Sequence, residues 1–239
     1  MMISSYFEGM PFHVPLKTYG RRKARQLSIN KQQLLEKHLV NLTLDISQFK
    51  GKIDPSRLFS FLPEKVFLEI GFGSGEHLIH QALQNPKIGL LGAEVFINGI
   101  ASLVKKIVSY NLNNIYIYPD DVRKIFSYFM PHMIDRIYVF FPDPWPKTRH
   151  HSRRFLTIEN LNHLSYLMKN NAELHLASDN ISYINWVYQQ INKHNNFSML
   201  NETVITGLNS DSLFKTRYAT KALEKGEIIK YLIVRHQID

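Results

Sequence analysis

From residue 65 onward, short apolar runs alternate with segments of helical periodicity, and this alternation leaves few folds open to the chain. Residues 65–71, 88–95, 114–118, 134–141 and 173–177 read as strands. Helices are expected over 75–84, 97–110, 153–168 and 181–191, with a short helix between the third and fourth strands. Two late strands, 197–205 and 227–235, follow with no long helix required between them. Alternation that ends in a hairpin specifies an α/β fold: a mostly parallel sheet with an antiparallel edge.

The first 64 residues differ. Residues 1–19 hold aromatics, prolines and Gly9 without periodicity and read as a loosely ordered arm. Residues 17–37 carry seven Lys or Arg against one acid, Glu36, and Leu27, Leu34, Leu35 and Leu39 suggest a short helix closing onto the domain. The chain therefore divides into a basic N-terminal arm with a short helix, 1–64, and one domain, 65–239. With 239 residues and 44% hydrophobic composition, one full core is affordable. The net charge of +9 favours polyanionic partners. There is no cysteine, which removes disulfides and zinc–thiolate sites and fits a reducing compartment. No apolar stretch reaches the length of a membrane span, and residues 1–17 lack a signal layout, so the expectation is a cytoplasmic protein with no membrane partner.

Two stretches carry the chemistry. In the first, Leu68-Glu69-Ile70-Gly71-Phe72-Gly73-Ser74-Gly75 joins the first strand to the first helix. Gly71, Gly73 and Gly75 let the backbone approach a ligand, although Glu76 stands where the dinucleotide fingerprint has its third glycine. Glu69, Glu94 and Asp121 end three successive strands, which places all three at one crevice. Glu94 is suited to ribose hydroxyls and Asp121 to an adenine amino group. A carboxylate at Glu69 repels a pyrophosphate but favours an ammonium or sulfonium. The crevice thus suits a cationic nucleoside such as S-adenosylmethionine better than a nicotinamide dinucleotide.

The second stretch is Val139-Phe140-Phe141-Pro142-Asp143-Pro144-Trp145-Pro146-Lys147. Its prolines stiffen a loop that exposes one acid and one large aromatic at a strand end. Lys147, Arg149, His150, His151, Arg153 and Arg154 follow. Such a pocket suits a purine still attached to its phosphates. Trp145 either stacks on a base or walls the pocket. The basic clusters 17–37, 147–154 and 215–230 suit phosphate contacts, with Arg153 and Arg154 expected among them. His77 and His80, three apart on a helix, and the adjacent His150 and His151 lack a matching acid motif for metal, so a surface or RNA-facing role is expected of them.

These segments together resemble the bacterial tRNA (guanine-N7-)-methyltransferases, from about Lys17 to near the end of the chain. The resemblance rests on the glycine turn, Gly92-Ala93-Glu94-Val95, Asp121, the block from Phe140 to Lys147 with Arg149-His150-His151-Ser152-Arg153-Arg154, Ala177-Ser178-Asp179, and Thr216-Arg217-Tyr218. Tyr19-Gly20-Arg21-Arg22 also looks like the family's arm. The glycine turn is shared by many methyltransferases, whereas the Asp143 block is specific to this family. The resemblance implies a Rossmann-like class I methyltransferase fold with a seven-stranded sheet and helices on both faces. It implies methyl transfer from S-adenosyl-L-methionine, leaving S-adenosyl-L-homocysteine, to N7 of the variable-loop guanosine at tRNA position 46. It carries cofactor binding onto Glu69, Glu94, Asp121 and Asp143, and substrate contacts onto Lys147, Asp179, Thr216, Arg217, Tyr218 and Ala219. One departure stands out: the family's Thr-x-Tyr-Glu ends here in Ala219.

Guanine N7 already presents an in-plane lone pair, so no strong base is needed, and catalysis reduces to positioning and electrostatics. Asp143 is the candidate catalytic residue, stabilising the purinium as it forms. Transfer from a sulfonium needs no metal. The competing readings are a methyltransferase for another RNA, a small molecule or a protein, a nicotinamide oxidoreductase, and a non-catalytic RNA-binding module. The partner expected is tRNA rather than DNA, with monomer and homodimer both open.

Overall fold

The computed structural model describes residues 17–20, 22, 26–207 and 216–238. Seven strands form one sheet: β1 (Lys65–Ile70), β2 (Ile88–Ala93), β3 (Ile115–Tyr118), β4 (Ile134–Phe140), β5 (Met168–Ser178), β6 (Phe197–Ile205) and β7 (Ile229–His236). Their order is β3-β2-β1-β4-β5-β7-β6. The first five run parallel, while β7 runs against both β5 and β6. The antiparallel edge is therefore a β6–β7 pair in which β7 lies one place in from the rim.

Among the described residues six α-helices cover the two faces: α1 (Ile29–Leu42), α2 (Glu76–Gln84), α3 (Ile97–Ser109), α4 (Ile158–Leu167), α5 (Ile181–Asn192) and α6 (Arg217–Glu224). Side chains alternate across each strand, and this sorts the core in two. Leu68 and Ile70 join Ile137, Val139, Leu174 and Leu176 beneath α4 and α5. Phe67 joins Leu90, Ile117, Tyr138 and Phe140 beneath α1, α2, α3 and α6. The segment ahead of β1 enters both cores, Leu35 and Leu39 on one face and Leu44, Ile53 and Phe59 on the other. The Leu44 amide also donates to the Ile117 carbonyl at 2.8 Å, extending the β3 rim.

Four elements depart from the periodicity, the first being β5, which starts at Met168 where the strand was expected from residue 173. The helix expected over 153–168 begins only at Ile158, where the Thr157 hydroxyl caps it by accepting from the Asn160 amide. Residues 148–153 instead form a 3-10 turn, and Arg154 is drawn inward. The short helix expected between β3 and β4 consists of two 3-10 turns, Val122–Lys124 and Phe126–Tyr128. Helix α6, eight residues long and capped by Thr216, stands where no long helix was required.

Two glycines are fixed by close approach. Gly75 has φ +73° and leads into α2, and a Cβ there would lie 2.6 Å from Leu103. At Gly99, in the first turn of α3, a Cβ would lie 2.1 Å from the Gly73 carbonyl oxygen. Helix α3 thus packs directly against the glycine turn and holds it at the strand ends.

Candidate active site

A cavity of about 350 Å³ opens at the carboxyl ends of β1, β2, β3 and β4. Its walls come from the glycine turn (Ile70, Gly71, Gly73), the end of β2 (Ala93 to Phe96), residues 120–123 after β3, and the loop after β4 (Phe141, Pro142, Asp143, Trp145). Open parallel sheets bind ligands at this location, because strand order reverses there. In this sheet the reversal falls between β1 and β4.

Glu94 is buried at the floor of the cavity. Its carboxylate accepts from the amides of Gly73 (2.7 Å), Val95 (2.7 Å) and Phe96 (2.9 Å). Burial raises its pKa, with the three N–H bonds opposing. Glu94 thereby ties the glycine turn to the end of β2. Asp121 is engaged differently. Arg123 grips it through Nε at 3.0 Å and Nη2 at 2.6 Å, and the Thr18 hydroxyl donates at 2.8 Å. Burial alone would raise the Asp121 pKa, but the Arg123 guanidinium overcomes it and holds the carboxyl below its ordinary value. Asp120 beside it pairs with Arg22 and Lys124.

Asp143 has no such grip. It makes no hydrogen bond or ion pair with any described residue. Its carboxylate reaches solvent through the open crevice, yet the surrounding protein still raises its pKa. The backbone on both sides is strained, with Phe141 at φ +49° and Trp145 at φ +41°. The Phe141 amide is pinned to the Ala177 carbonyl at 2.8 Å. Tyr218, 63% exposed at the start of α6, stacks on Phe141 with ring centroids 6.1 Å apart and closes this side of the cavity.

Glu69 does not line the cavity. It shares a sheet face with Phe67, turned toward α2, and is 3% exposed. Its carboxylate accepts from Nδ1 of His77 at 2.8 Å. Gln81 reaches Nε2 of that ring at 3.2 Å, and its own carbonyl accepts from Asn85 at 3.3 Å. Gln81 and Asn85 thus extend the His77–Glu69 pair into a buried chain of side-chain hydrogen bonds. The surface role expected for His77 is therefore corrected: the side chain is 2% exposed and serves Glu69.

Among the substrate candidates, Lys147 is exposed beyond Trp145, Asp179 is exposed just after β5, and Arg217 is exposed on α6. None of these three borders the cavity. Thr216 accepts from the Ala219 amide at 3.1 Å, and Ala219 is buried against the sheet, so position 219 offers no polar group to the crevice. Arg153 lies over both Tyr19 (4.7 Å) and Trp145 (5.1 Å), which joins the first basic cluster to the second at the cavity rim. Arg154 overturns its expectation. It is 2% exposed and faces inward, so it is no phosphate contact. Arg21, Lys23, Arg25 and Lys215 of the expected clusters lie outside the described residues.

Two contributors escaped the sequence. Thr18, Tyr19 and Gly20 of the arm line the cavity itself, and the Ile97 amide donates to the Arg22 carbonyl at 3.1 Å. The Tyr19-Gly20 pair was a usable signal, since a Cβ at Gly20 would meet Val95 at 3.1 Å. Arg123, two residues after Asp121, is the other.

Comparison with known proteins agrees with this architecture. The model of the family described as "Putative methyltransferase" matches residues 63–232. Among solved structures, the 16S rRNA methyltransferase KamB superposes with a TM-score of 0.57 at 12% identity, covering 74% of this chain and 89% of that one. TrmN from Thermus thermophilus gives 0.53 at 14% identity, over 73% of this chain and 44% of its own. Both likenesses concern the fold, that of class I methyltransferases. Closer in sequence is the tRNA (guanine-N(7)-)-methyltransferase of Rhodospirillum rubrum, 36% identical over 222 residues, which are 92% of this chain and 87% of that one. That of Paramagnetospirillum magneticum is 38% identical over 206 residues, 86% and 87% of the two chains. Matches of this identity, spanning both chains almost end to end, make this chain a member of the tRNA (guanine-N(7)-)-methyltransferase family.

Proposed function

We propose that this enzyme methylates N7 of the variable-loop guanosine of tRNA, position 46, with S-adenosyl-L-methionine as donor and S-adenosyl-L-homocysteine as product. The observation that carries the reading is the asymmetry of the crevice: two carboxylates fixed by the fold on the β2–β3 side face one carboxylate on the β4 side that no described residue pairs. A cavity of about 350 Å³ with a close-approach glycine turn and acidic strand ends fits an adenosine-based cation. When bound, that donor supplies an electrophilic methyl on a sulfonium.

In this reading Glu94 accepts from the ribose hydroxyls and Asp121 from the adenine amino group. Gly71, Gly73 and Gly75 let the backbone approach the amino-acid end. Glu69 contributes negative potential from beneath the glycine turn rather than from the wall. Asp143 holds the guanine edge and stabilises positive charge as it appears on the purine; no proton has to be removed from N7. Tyr218 and Trp145 confine the base, while Lys147, Asp179, Thr216 and Arg217 guide the surrounding RNA, with Ala219 serving only the packing of α6. Residues 1–64 supply a basic N-terminal arm and a short helix, the arm reaching the cavity through Thr18 to Gly20, and 65–239 form the catalytic domain. The substrate places the reaction in the cytoplasm. Among the described residues no helix is long and apolar enough to cross a membrane.

The test is direct. Incubation with methyl-labelled donor and bulk tRNA, followed by digestion to nucleosides, should yield labelled 7-methylguanosine. Label in another nucleoside, or in none, overturns the reading.

A further inference from the structure

Arg154 is a buried cation with no counter-charge among the described residues. No described carboxylate pairs with it, although it is 2% exposed. A charge taken from water without an opposite partner is costly unless its donors are satisfied and its location serves a purpose. Its donors go to the loop that bears Asp143. Nε donates to the Pro144 carbonyl at 2.9 Å, and Nη2 makes a long contact of 3.5 Å to the Trp145 carbonyl. Beneath, the guanidinium lies 5.0 Å from the Trp186 ring centroid and 5.7 Å from that of Tyr183, both on α5. The aromatic platform sets the plane of the fork, and the fork sets the two carbonyls.

Those two carbonyls follow Asp143 directly, and the loop is strained on either side of it, at Phe141 and at Trp145. Left-handed backbone at bulky residues persists only where the surroundings over-determine it. The amide of Phe141 is fixed on the β5 side by Ala177. The other end has Arg154. We propose that Arg154 is a positioning residue: anchored on Trp186 and Tyr183, its guanidinium clamps the Pro144–Trp145 backbone and so fixes the Asp143 carboxylate and the Trp145 ring at the crevice. The inference rests on the proposed role of Asp143 in methyl transfer.

The prediction differs from that for a phosphate-binding arginine and from that for a residue that only packs α5. Arg154→Lys keeps the charge but loses the planar fork. It should fold, bind adenosylmethionine within about threefold of wild type, and lose roughly tenfold to a hundredfold in kcat, the scale of an ångström-level misplacement of a reacting group. The salt dependence of tRNA binding should not change. In Arg154→Ala, methylguanidinium at millimolar concentration should restore part of the lost turnover. Trp186→Leu, which removes the platform and leaves the charge, should lower kcat to an intermediate degree, and it supplies the test if Arg154→Ala does not fold. A kcat within threefold of wild type in both Arg154→Lys and Trp186→Leu overturns the inference. So does a loss in kcat matched by an equal loss in cofactor affinity, or a shallower salt dependence in Arg154→Lys. Absence of 7-methylguanosine with the wild-type chain would instead strike the proposed function.

Discussion

The two sides of the crevice treat their acids in opposite ways. On the β2–β3 side Glu94 is held by three backbone amides and Asp121 by a forked arginine and a threonine. On the β4 side Asp143 has no partner among the described residues and sits between two strained residues. Carboxylates already bonded to the fold keep their position whatever binds, and they offer remaining lone pairs to fixed points of a ligand. An unpaired carboxylate keeps its full field for a charge that appears only during reaction. The difference separates a side built for holding from a side built for chemistry.

The strongest way to break this contrast is Asp143→Asn. Turnover should fall by about a hundredfold to a thousandfold, the scale of losing one preorganised electrostatic group. The Kd for adenosylmethionine should change only a few-fold, measured by calorimetry. Activity retained within a few-fold would remove Asp143 from the chemistry. A pH profile sharpens the point. Because the surrounding protein raises the Asp143 pKa, the carboxylate takes up its proton at a higher pH than an ordinary aspartate. Turnover in the wild type should therefore decline on the acid side from a pH above the usual aspartate range, and the asparagine variant should show no such limb. The same sign makes the ionised Asp143 a cost to folding, so the variant should melt slightly higher at pH 7, with the gain vanishing toward pH 4.

That limb has to be separated from acid unfolding, to which His175 contributes. It lies on β5, beside the strand bearing the Asp143 loop, paired in register with Tyr138 of β4 and hydrogen-bonded to Glu173 and the Tyr231 hydroxyl. Burial lowers its pKa to about 4. Below the ordinary histidine value the unfolded chain binds a proton that the folded chain refuses. Stability therefore drops as pH falls from about 6.5 to about 4, by on the order of 2 kcal/mol after allowing for relaxation around a coupled group. Urea midpoints across that range should show it, and His175→Gln should flatten the slope while the acid limb of turnover stays in place. A slope unchanged by the substitution would assign the acid loss to other groups.

On the holding side, Glu94→Ala removes the acceptor of three amides at once. Leaving such groups without partners costs about 1–3 kcal/mol, although water entering the cavity will recover part of it. Cofactor affinity should fall by about tenfold or more, with tRNA affinity little changed. Equal losses of both would point to collapse of the glycine turn instead of a missing ligand contact.

These contrasts were only partly legible in the residues. The five parallel strands and the glycine turn were, because apolar runs and glycine spacing are local signals. The partners of the acids were not, because they are set by the third dimension. Glu69 ends a strand, which suggested the crevice, yet it shares the sheet face of Phe67 two residues before it and so faces α2, where His77 awaits it. Arg154 follows Arg153 in a basic run, and only the inward turn ahead of the Thr157 cap reveals that one lies at the rim and the other is buried under the Asp143 loop. Helix α6 is eight residues long, too short for periodicity to separate it from a loop. That β7 inserts between β5 and β6 is a matter of pairing, which no local pattern encodes.

The smallest expected effect lies outside both sides, on the basic rim. Arg149 is exposed, two residues beyond Lys147 and clear of the cavity wall. If it meets one phosphate, Arg149→Ala should weaken tRNA binding about equally across tRNA sequences. It should also lower the slope of log K against log salt by about one unit. Turnover at saturating tRNA should stay near wild type, since neither the clamped acids nor the free one is disturbed. Arg154→Lys supplies the opposite pattern, with turnover reduced and the salt slope intact. Finding a lowered kcat and an unchanged slope in Arg149→Ala would place this exposed arginine with the chemistry and erase the boundary between delivering the RNA and reacting with it.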